Sequence, residues 1–418
     1  MRSYRDLFRT PEFTPFFLSS AGLTVAQTIG GLALGTLVYR ATDSPLLSAV
    51  SMFGPQLAQV LGATFLLSGA DRLPPRSTLT GIGLSFAAGS ALLALPGLPV
   101  WGVFAVVLLQ GLVASLGGGV RWGLLNEILS KDGYLLGRSV FNMLSGLMQI
   151  TGYATGGALL AVLSPRACLL LSAALYAGSA LAVRLGLTAR PPRASGRPSA
   201  AATWRTNRLL WSSSPRRLTY LGLWLPNGLV VGCESLYVSY DPGAAGALFA
   251  AAALGMFAGD VTVGRLVPAA LRPSLASPLL LLLAAPYLLF ALHPALPWSA
   301  LLAALASVGF GASLVQQERL MTLTPDELSG HALGLHSSGM LTMQGVAAAL
   351  AGSVAQLTSP AVAMTVMAAA SAAVTLVLAT ARGSRSAGRA AEPGPGPVPQ
   401  PTSAPESVPV RRSEREPS

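Results

Sequence analysis

Residues 101–120 read WGVFAVVLLQGLVASLGGGV and contain no charged side chain. A helix rises about 1.5 Å per residue, so about 20 such residues cross the hydrocarbon core of a bilayer. The stretch therefore predicts a transmembrane helix. Comparable apolar runs occupy 15–39, 45–68, 77–95, 138–163, 167–187, 218–240, 243–264, 274–293, 297–315, 332–357 and 360–381. Together the runs predict an all-α membrane protein with twelve transmembrane helices.

The composition of the 418 residues agrees with this prediction, since 52% are hydrophobic and only 10% are charged. A soluble domain would carry roughly 25% charged residues, and lipid removes the need for them. The formal net charge is +11, but the basic residues lie in short loops and tails between apolar runs. That placement argues against a nucleic-acid partner. Cys168 and Cys233 both lie in apolar runs, so no disulfide framework is expected.

The basic residues also predict the orientation. With the N-terminus in the cytoplasm and the runs alternating, every Lys and Arg except Arg40 and Arg166 falls on the inner side. This distribution follows the positive-inside rule. All basic residues but Lys131 are arginines, which is typical of a GC-rich bacterium. We therefore expect a multi-pass protein of the bacterial cytoplasmic (plasma) membrane with both termini cytoplasmic.

Two polar segments divide the chain. Residues 188–217 form a long internal loop rich in Arg and Pro, and 383–418 form a Pro-rich tail that is expected to be disordered. Within the loop, Trp204, Arg205, Arg208, Leu209, Leu210 and Trp211 could form a short helix at the inner membrane surface, or the loop could be a disordered basic linker. The predicted organisation is a six-helix bundle over 1–187, a basic linker over 188–217, a six-helix bundle over 218–382 and a disordered cytoplasmic tail over 383–418.

The two predicted bundles are related in sequence. A shift of 195 residues places Met148-Gln149 on Met343-Gln344 and Ser164-Pro165 on Ser359-Pro360. A shift of 189 residues places Asp71 on Asp260 and Arg76 on Arg265. Repeated halves joined by a basic loop are typical of one class of secondary transporter. We therefore predict two pseudo-symmetric six-helix bundles.

Ala70, Asp71, Arg72 and Arg76 match the signature loop between helices 2 and 3 of the major facilitator superfamily, although Leu67 and Pro74-Pro75 stand where that signature has other residues. Over residues 10–381 the sequence resembles that superfamily. More narrowly, it resembles the superfamily's bacterial multidrug and siderophore exporters, which have glycines like Gly152, Gly156 and Gly157 in helix 5. The resemblance implies the major facilitator fold. Val107 replaces the Arg that the family commonly links to proton coupling on helix 4.

The signature loop predicts a gate that holds the two halves together on the cytoplasmic side. Asp71 could accept hydrogen bonds from the positive N-terminus of a helix in the other half, and Arg72 or Arg76 could pair with Glu127. A second copy would act against the start of helix 5. The alternative is an ordinary charged turn. The predicted gate residues are Asp71, Arg72, Arg76, Glu127, Asp260 and Arg265.

Helices 3, 6, 9 and 12 are almost free of strongly polar residues, whereas other helices carry several. Polar groups in a membrane usually face the bundle interior or water, so these residues predict a central path, with interhelical hydrogen bonds as the alternative for each one. The predicted path residues are Gln27, Asn142, Gln149, Asn227 and Gln344. Glu234 is the sole acidic residue well inside a predicted span and is the candidate for energy coupling; the alternatives are a position nearer the outer interface or a pair with a facing residue.

The predicted function is secondary active transport by alternating access, without cofactor or metal. The three histidines show no metal-ligand spacing, no Gly-Lys-Ser/Thr phosphate motif occurs, and no catalytic cluster indicates an enzyme. The resemblance implies proton-coupled efflux of a small amphipathic drug or metabolite by a monomer. A solute importer on the same fold and a non-transporting receptor or assembly protein are the alternatives. The expected partners are a small-molecule substrate, protons and the lipid bilayer.

Overall fold

A computed structural model describes residues 4–70, 73–129, 131–192 and 200–391, with side chains for all of these except 4, 63–70, 119, 131, 132, 134, 135, 142, 200–203, 326 and 382–391. The described residues form helices and turns and contain no strand. The α-helices are α1 Tyr4–Phe8, α2 Phe13–Thr42, α3 Pro45–Ala70, α4 Pro75–Leu93, α5 Val100–Ile128, α6 Lys131–Val162, α7 Pro165–Gly186, α8 Ala200–Ser212, α9 Ser214–Glu234, α10 Tyr237–Tyr240, α11 Ala245–Val261, α12 Arg272–Ala284, α13 Leu296–Val308, α14 Ala312–Thr322, α15 Ser329–Leu357 and α16 Pro360–Ala391.

Eight helical segments are long and apolar enough to cross a membrane. They are α2, α5, α7, α11 with its extension to Leu266, α12 with its extension to Leu292, α13 through α14, α15 and the part of α16 up to Ala381. The nearly all-helical, multi-pass prediction is therefore confirmed. Among the remaining long helices, α9 begins with two arginines at 216 and 217, which lowers its average hydropathy. The count of twelve spans stays a prediction.

The chain divides into two compact units after Ala379. The first unit contains α1 through α15 and most of α16, and the described part of the second, residues 380–391, is the end of α16. The predicted boundaries at 187, 217 and 382 stay predictions.

Small residues let the helices of the first unit approach closely. Ser172 on α7 donates a hydrogen bond to the backbone carbonyl of Ala26 on α2 at 2.7 Å, and a Cβ on Gly30 would meet the Ser172 side chain. Small side chains are common at such contacts because helices in lipid associate through packing rather than through exclusion of water. The helix pair α2–α7 is therefore tight.

Two helix pairs make the largest contacts between the first six long helices and the rest of the first unit: α3 packs on α15, and α6 packs on α11. A Cβ on Gly157 of α6 would lie 2.8 Å from the Cα of Gly246 on α11. A Cβ on Gly352 of α15 would lie 2.6 Å from the Cα of Leu46 on α3. Both contacts lie at the helix ends that are predicted to face outward. Backbone therefore meets backbone at that end, and the structure is closed there.

Helix α8, Ala200–Ser212, covers the whole predicted surface segment from Trp204 to Trp211, so this part of the loop is helical. Trp211 of α8 stacks on Trp224 of α9, with ring centroids 5.6 Å apart and an interplanar angle of 10°. Tyr220 stacks on the same Trp224 at 5.1 Å. These three rings fix the end of α8 against α9. The location of α8 at a membrane surface stays a prediction.

The predicted helix over 218–240 is interrupted. Helix α9 ends at Glu234, the backbone turns through Ser235 and Leu236, and α10 begins at Tyr237. All four of these residues are buried. A helix end exposes backbone groups that need partners, and interrupted helices in membranes occur where the break is enclosed by protein. The break therefore places Glu234 at a helix terminus inside the core.

Candidate functional site

The carboxyl group of Glu234 is enclosed by protein. Glu234 is 7% exposed, and its Oε1 accepts a hydrogen bond of 3.4 Å from Ser307 Oγ on α13. Ser307 is fully buried. Among the described residues Glu234 forms no ion pair. An ionised carboxylate in such surroundings is costly unless it is well paired, and one long hydrogen bond is weak pairing. The protonation of Glu234 must therefore depend on which groups surround it.

Three tyrosines lie close enough to this carboxyl group to interact with it electrostatically: Tyr153 on α6, Tyr237 on α10 and Tyr287 after α12. The Tyr237 and Tyr287 hydroxyl groups are 2.5 Å apart and hydrogen-bonded. Tyr153 stacks on Phe249 of α11 with ring centroids 4.7 Å apart. We call Glu234, Ser307 and the three tyrosines the acidic cluster. Because Tyr153 comes from the first six long helices, the cluster lies where the two predicted halves meet.

The sequence could identify Glu234 but not its surroundings. Glu234 is buried, and it forms no ion pair with the described residues, so the alternative of an ion pair finds no partner there. Its depth in the membrane and its role in coupling stay predictions. The three tyrosines come from separate helices, so only tertiary packing brings them together. The one signal in the sequence was that tyrosine hydroxyl groups occur within the predicted spans.

Two adjoining cavities occupy the interior of the first six long helices. The larger, about 330 Å³, and the smaller, about 240 Å³, share Gln27 and Gln59 as lining residues. Gln56 also lines the larger cavity, and its buried Oε1 finds no hydrogen-bond partner among the described residues. Leu341 of α15 lines the larger cavity, which therefore reaches the other half. Gln27 is thus placed on an internal polar surface.

Arg121 is a site residue that the sequence pattern did not reveal. The predicted span ended at 120, which put Arg121 among the loop charges, but α5 continues to Ile128. Arg121 therefore lies inside the helix and lines the smaller cavity. Its buried Nε has no hydrogen-bond partner in the described part of the chain, and its Cζ lies 5.4 Å from the ring centroid of Phe141. The scarcity of helix-breaking residues over 121–128, which contain no Pro, was the signal that the helix continues.

A third cavity, of about 620 Å³, lies between α6 and α11 toward the end that is predicted to face the cytoplasm. Gln149, Arg138, Asp260 and Arg265 line it. Asp260 and Arg265 are exposed, and Arg265 Nη2 contacts the sulfur of Met143 at 3.7 Å. Within the described part of the chain Asp260 forms no ion pair. The second predicted gate copy thus faces an open cavity in this conformation.

The first predicted gate copy is only partly described, because Asp71 and Arg72 lie outside the described residues. Arg76 Nη2 donates to the backbone carbonyl of Arg184 at the end of α7, 2.5 Å away, and Glu127 pairs with Arg190 Nε at 3.5 Å. The expected pair of Arg76 with Glu127 is not formed here, because the first turn of α4 faces α7. Residue-level gating stays a prediction.

Arg190 connects two elements at the predicted cytoplasmic end. Its Nη1 lies 2.6 Å from Glu12 Oε2, just before α2, and Thr188 donates to Glu12 Oε1 at 2.7 Å. Burial raises the pKa of Glu12, but the hydrogen bonds from Arg190 and Thr188 outweigh burial, and the net pKa of Glu12 is lowered. This contact joins the start of α2 to the segment that follows α7.

The remaining predicted path residues have different surroundings. Asn227 is fully buried, and its Nδ2 donates to the Leu223 carbonyl at 2.6 Å and to Ser313 Oγ on α14 at 3.4 Å. Asn227 therefore makes the interhelical hydrogen bond that the sequence left open as the alternative. Gln344 is half-buried on α15. Asn142 is in α6, but its side chain lies outside the described ones.

Comparison with known proteins relates the chain to transporters by structure alone. No protein-family model matches it, and no curated protein matches it. A POT family transporter in complex with a thioalcohol-conjugated peptide has a TM-score of 0.68 and 11% identity, covering 88% of this chain and 95% of that one. A single-residue mutant of the nucleoside transporter NupG has a TM-score of 0.69 and 13% identity, covering 87% and 99%.

A third solved structure is a bacterial homolog of the human lysosomal transporter Spinster, inward-facing and unoccupied. It has a TM-score of 0.64 and 13% identity, and covers 89% of this chain and 95% of that one. This chain has the same fold as these three transporter structures. The expectation of a transporter fold is therefore confirmed.

Proposed function

We propose that this chain is a secondary active transporter that moves a small molecule by alternating access and couples that movement to protons. In this proposal twelve spans form two six-helix halves in a bacterial cytoplasmic membrane, with both termini in the cytoplasm. The shared fold, the polar internal cavities and the closed glycine contacts at one end support it. Binding sites in such transporters lie between the halves near the bilayer midplane.

The acidic cluster is the observation that carries proton coupling. Glu234 sits at the break between α9 and α10 and is surrounded by groups from both predicted halves. A rocking motion of the halves would move Tyr153 relative to Glu234 and change the polarity around the carboxyl group. Its affinity for a proton would change with the conformation, which links proton binding to the conformational cycle.

The conformation of the structure fits one state of this cycle. Gly157 and Gly246 close the predicted outer end above Glu234, while the cavity lined by Asp260 and Arg265 is open toward the predicted inner end. The opposite state requires that cavity to close. Arg138 and Asp260 line it from opposite helices, so their approach would stabilise the closed inner end. Efflux is the proposed direction, and a monomer is the proposed functional unit.

Flux in proteoliposomes tests the proposal. The purified chain is reconstituted, a pH gradient is imposed, and movement of ethidium, chloramphenicol and p-aminohippurate is followed, which samples positive, neutral and negative amphipathic compounds. The proposal expects at least one compound to accumulate against its gradient, and a protonophore to abolish the accumulation. Flux opposite to the proton gradient indicates efflux, and flux along it indicates import. Accumulation that is insensitive to the protonophore would contradict proton coupling.

A further inference from the structure

We infer that the two cavities within the first six long helices bind a small apolar molecule that carries one carboxylate, and that Arg121 holds the carboxylate. This inference rests on the proposed function only for its role as a transport substrate, since binding itself can be measured without transport. Arg121 is not among the path residues predicted from the sequence, because it had been placed in a loop.

The first argument is that Arg121 lacks an acceptor. Two other described arginines have a buried, unpaired Nε, but each finds an acceptor through Nη2: Arg76 donates to the Arg184 carbonyl, and Arg216 donates to the Leu209 carbonyl at 3.2 Å. Among the described residues, Arg121 forms neither a hydrogen bond nor an ion pair. Arg121 is half-buried, and its Nε is removed from water. A charged group with a buried, unpaired donor is costly. An anion in the cavity would supply the missing acceptor.

The second argument concerns the sign and number of charges. Arg121 is the one charged residue among the described residues that line the two cavities. A cationic ligand would be repelled, and a dianion would have one charge unpaired. The guanidinium group is a planar fork that matches a carboxylate through two parallel hydrogen bonds. The ring of Phe141 covers one side of that fork, which limits the directions from which an anion can approach.

The third argument concerns the rest of the ligand. Phe16, Ile82 and Phe86 line the smaller cavity and offer apolar surface, while Gln27 and Gln59 offer amide donors where the two cavities join. The two cavities have volumes of about 240 and 330 Å³ and adjoin each other. Sites for small organic molecules begin at roughly 300 Å³, so the joined cavities are large enough for one. Because the larger cavity reaches α15, a bound molecule would also contact the other half.

Binding to the full chain in lipid nanodiscs tests the inference. The probes are benzoate, benzamide and benzylamine, which share one ring and carry charges of −1, 0 and +1. Tryptophan fluorescence reports binding because Trp122 lines the smaller cavity beside Arg121. The variants are Arg121→Gln, Arg121→Lys and, as a control for loss of a positive charge, Arg166→Gln, which is exposed in the first turn of α7.

We expect benzoate to bind wild type and Arg166→Gln equally and to bind Arg121→Gln about 10- to 100-fold more weakly, the size of a lost charge-assisted hydrogen bond. Arg121→Lys should lie between, since it keeps the charge and loses the fork. Benzamide and benzylamine should bind wild type at least about tenfold more weakly than benzoate. Circular dichroism and gel filtration show whether each variant folds. If Arg121→Gln does not fold, the comparison of benzoate binding to wild type and to Arg121→Lys tests the inference.

Three results would overturn the inference: undetectable binding of benzoate to wild type, equal binding of benzoate to wild type and to the folded Arg121 variant, or equal binding of benzamide and benzoate to wild type. The failure of the proposed function is distinguishable. Benzoate binding that requires Arg121, without any gradient-driven flux, would contradict transport and leave this inference standing. Gradient-driven flux without Arg121-dependent binding would contradict this inference alone.

Discussion

A methyl group added at Gly157 should open the end of the protein that is closed in the structure. The Cβ of Gly157→Ala would lie 2.8 Å from the Cα of Gly246 and 3.3 Å from its carbonyl carbon. Carbon atoms prefer separations of about 3.5–4.0 Å, so α6 and α11 must separate by about 0.7 Å or more. Neither neighbour is a flexible side chain, so the strain cannot relax through a rotamer change.

The magnitude follows from the cost of overpacking. An extra methyl group in a well-packed contact costs about 1–3 kcal/mol. The contact exists only while this end is closed, so the closed state alone is destabilised. A differential of about 1–3 kcal/mol shifts a two-state equilibrium by about 5- to 150-fold. Gly178→Ala is the matched control, because it is also in the middle of a helix and its Cβ would meet nothing within 4 Å.

Cysteine accessibility measures the shift. A cysteine at Gln27, which is exposed to the internal cavities, is placed in a chain whose Cys168 and Cys233 are replaced by serine. An impermeant maleimide added outside intact cells should label it about 5- to 150-fold faster in Gly157→Ala than in Gly178→Ala. Equal rates in the two variants would refute the reasoning that these glycines close the outer end.

Three further predictions address the topology, the gate and the predicted cytoplasmic surface. A cysteine at Asp43 should react with the impermeant maleimide outside intact cells and one at Ser77 should not; the reverse pattern would contradict the orientation. Asp260→Asn should slow gradient-driven flux while membrane insertion is unchanged, because the inner end then closes less well, and wild-type flux would exclude a gating role. Glu12→Gln should lower the midpoint of thermal unfolding at pH 7, by the roughly 0.2–1 kcal/mol of a surface ion pair. The pKa of Glu12 is lowered from 4.5 in the folded chain. The difference in unfolding midpoint between wild type and Glu12→Gln should therefore be present above about pH 4.5 and disappear as the pH falls through the lowered pKa. A difference that persists at low pH would contradict the role of the Arg190 pair.

The sequence predicts the features of this fold that are set by local patterns. Apolar runs of about 20 residues identify the long helices because a bilayer fixes their length. The aromatic and basic residues around Trp211 did not decide between a helix and a disordered linker. The helix is stabilised by stacking of Trp211 on Trp224, a residue of another helix, which the local sequence does not reveal. The start of α9 likewise carries charges that a simple hydropathy criterion rejects.

The candidate site was only partly predictable, for three physical reasons. The break after Glu234 has no Gly or Pro at 235 or 236, so tertiary packing rather than backbone propensity ends α9 there. Arg121 was assigned to a loop because the apolar run was ended at the first charged residue. The helix itself continues past that residue. Glu127 pairs with Arg190, which is distant in sequence and could not be chosen from charge pattern alone.

The most direct test of the account compares two transport modes in one variant. Glu234→Gln mimics the protonated carboxyl group permanently, and Glu327→Gln removes an exposed acidic residue as a control. In proteoliposomes containing a transported compound, the account predicts that Glu234→Gln exchanges labelled for unlabelled compound at a rate near wild type but does not accumulate it when a pH gradient is imposed, while Glu327→Gln does both. Accumulation by Glu234→Gln at the wild-type level would contradict proton coupling through Glu234.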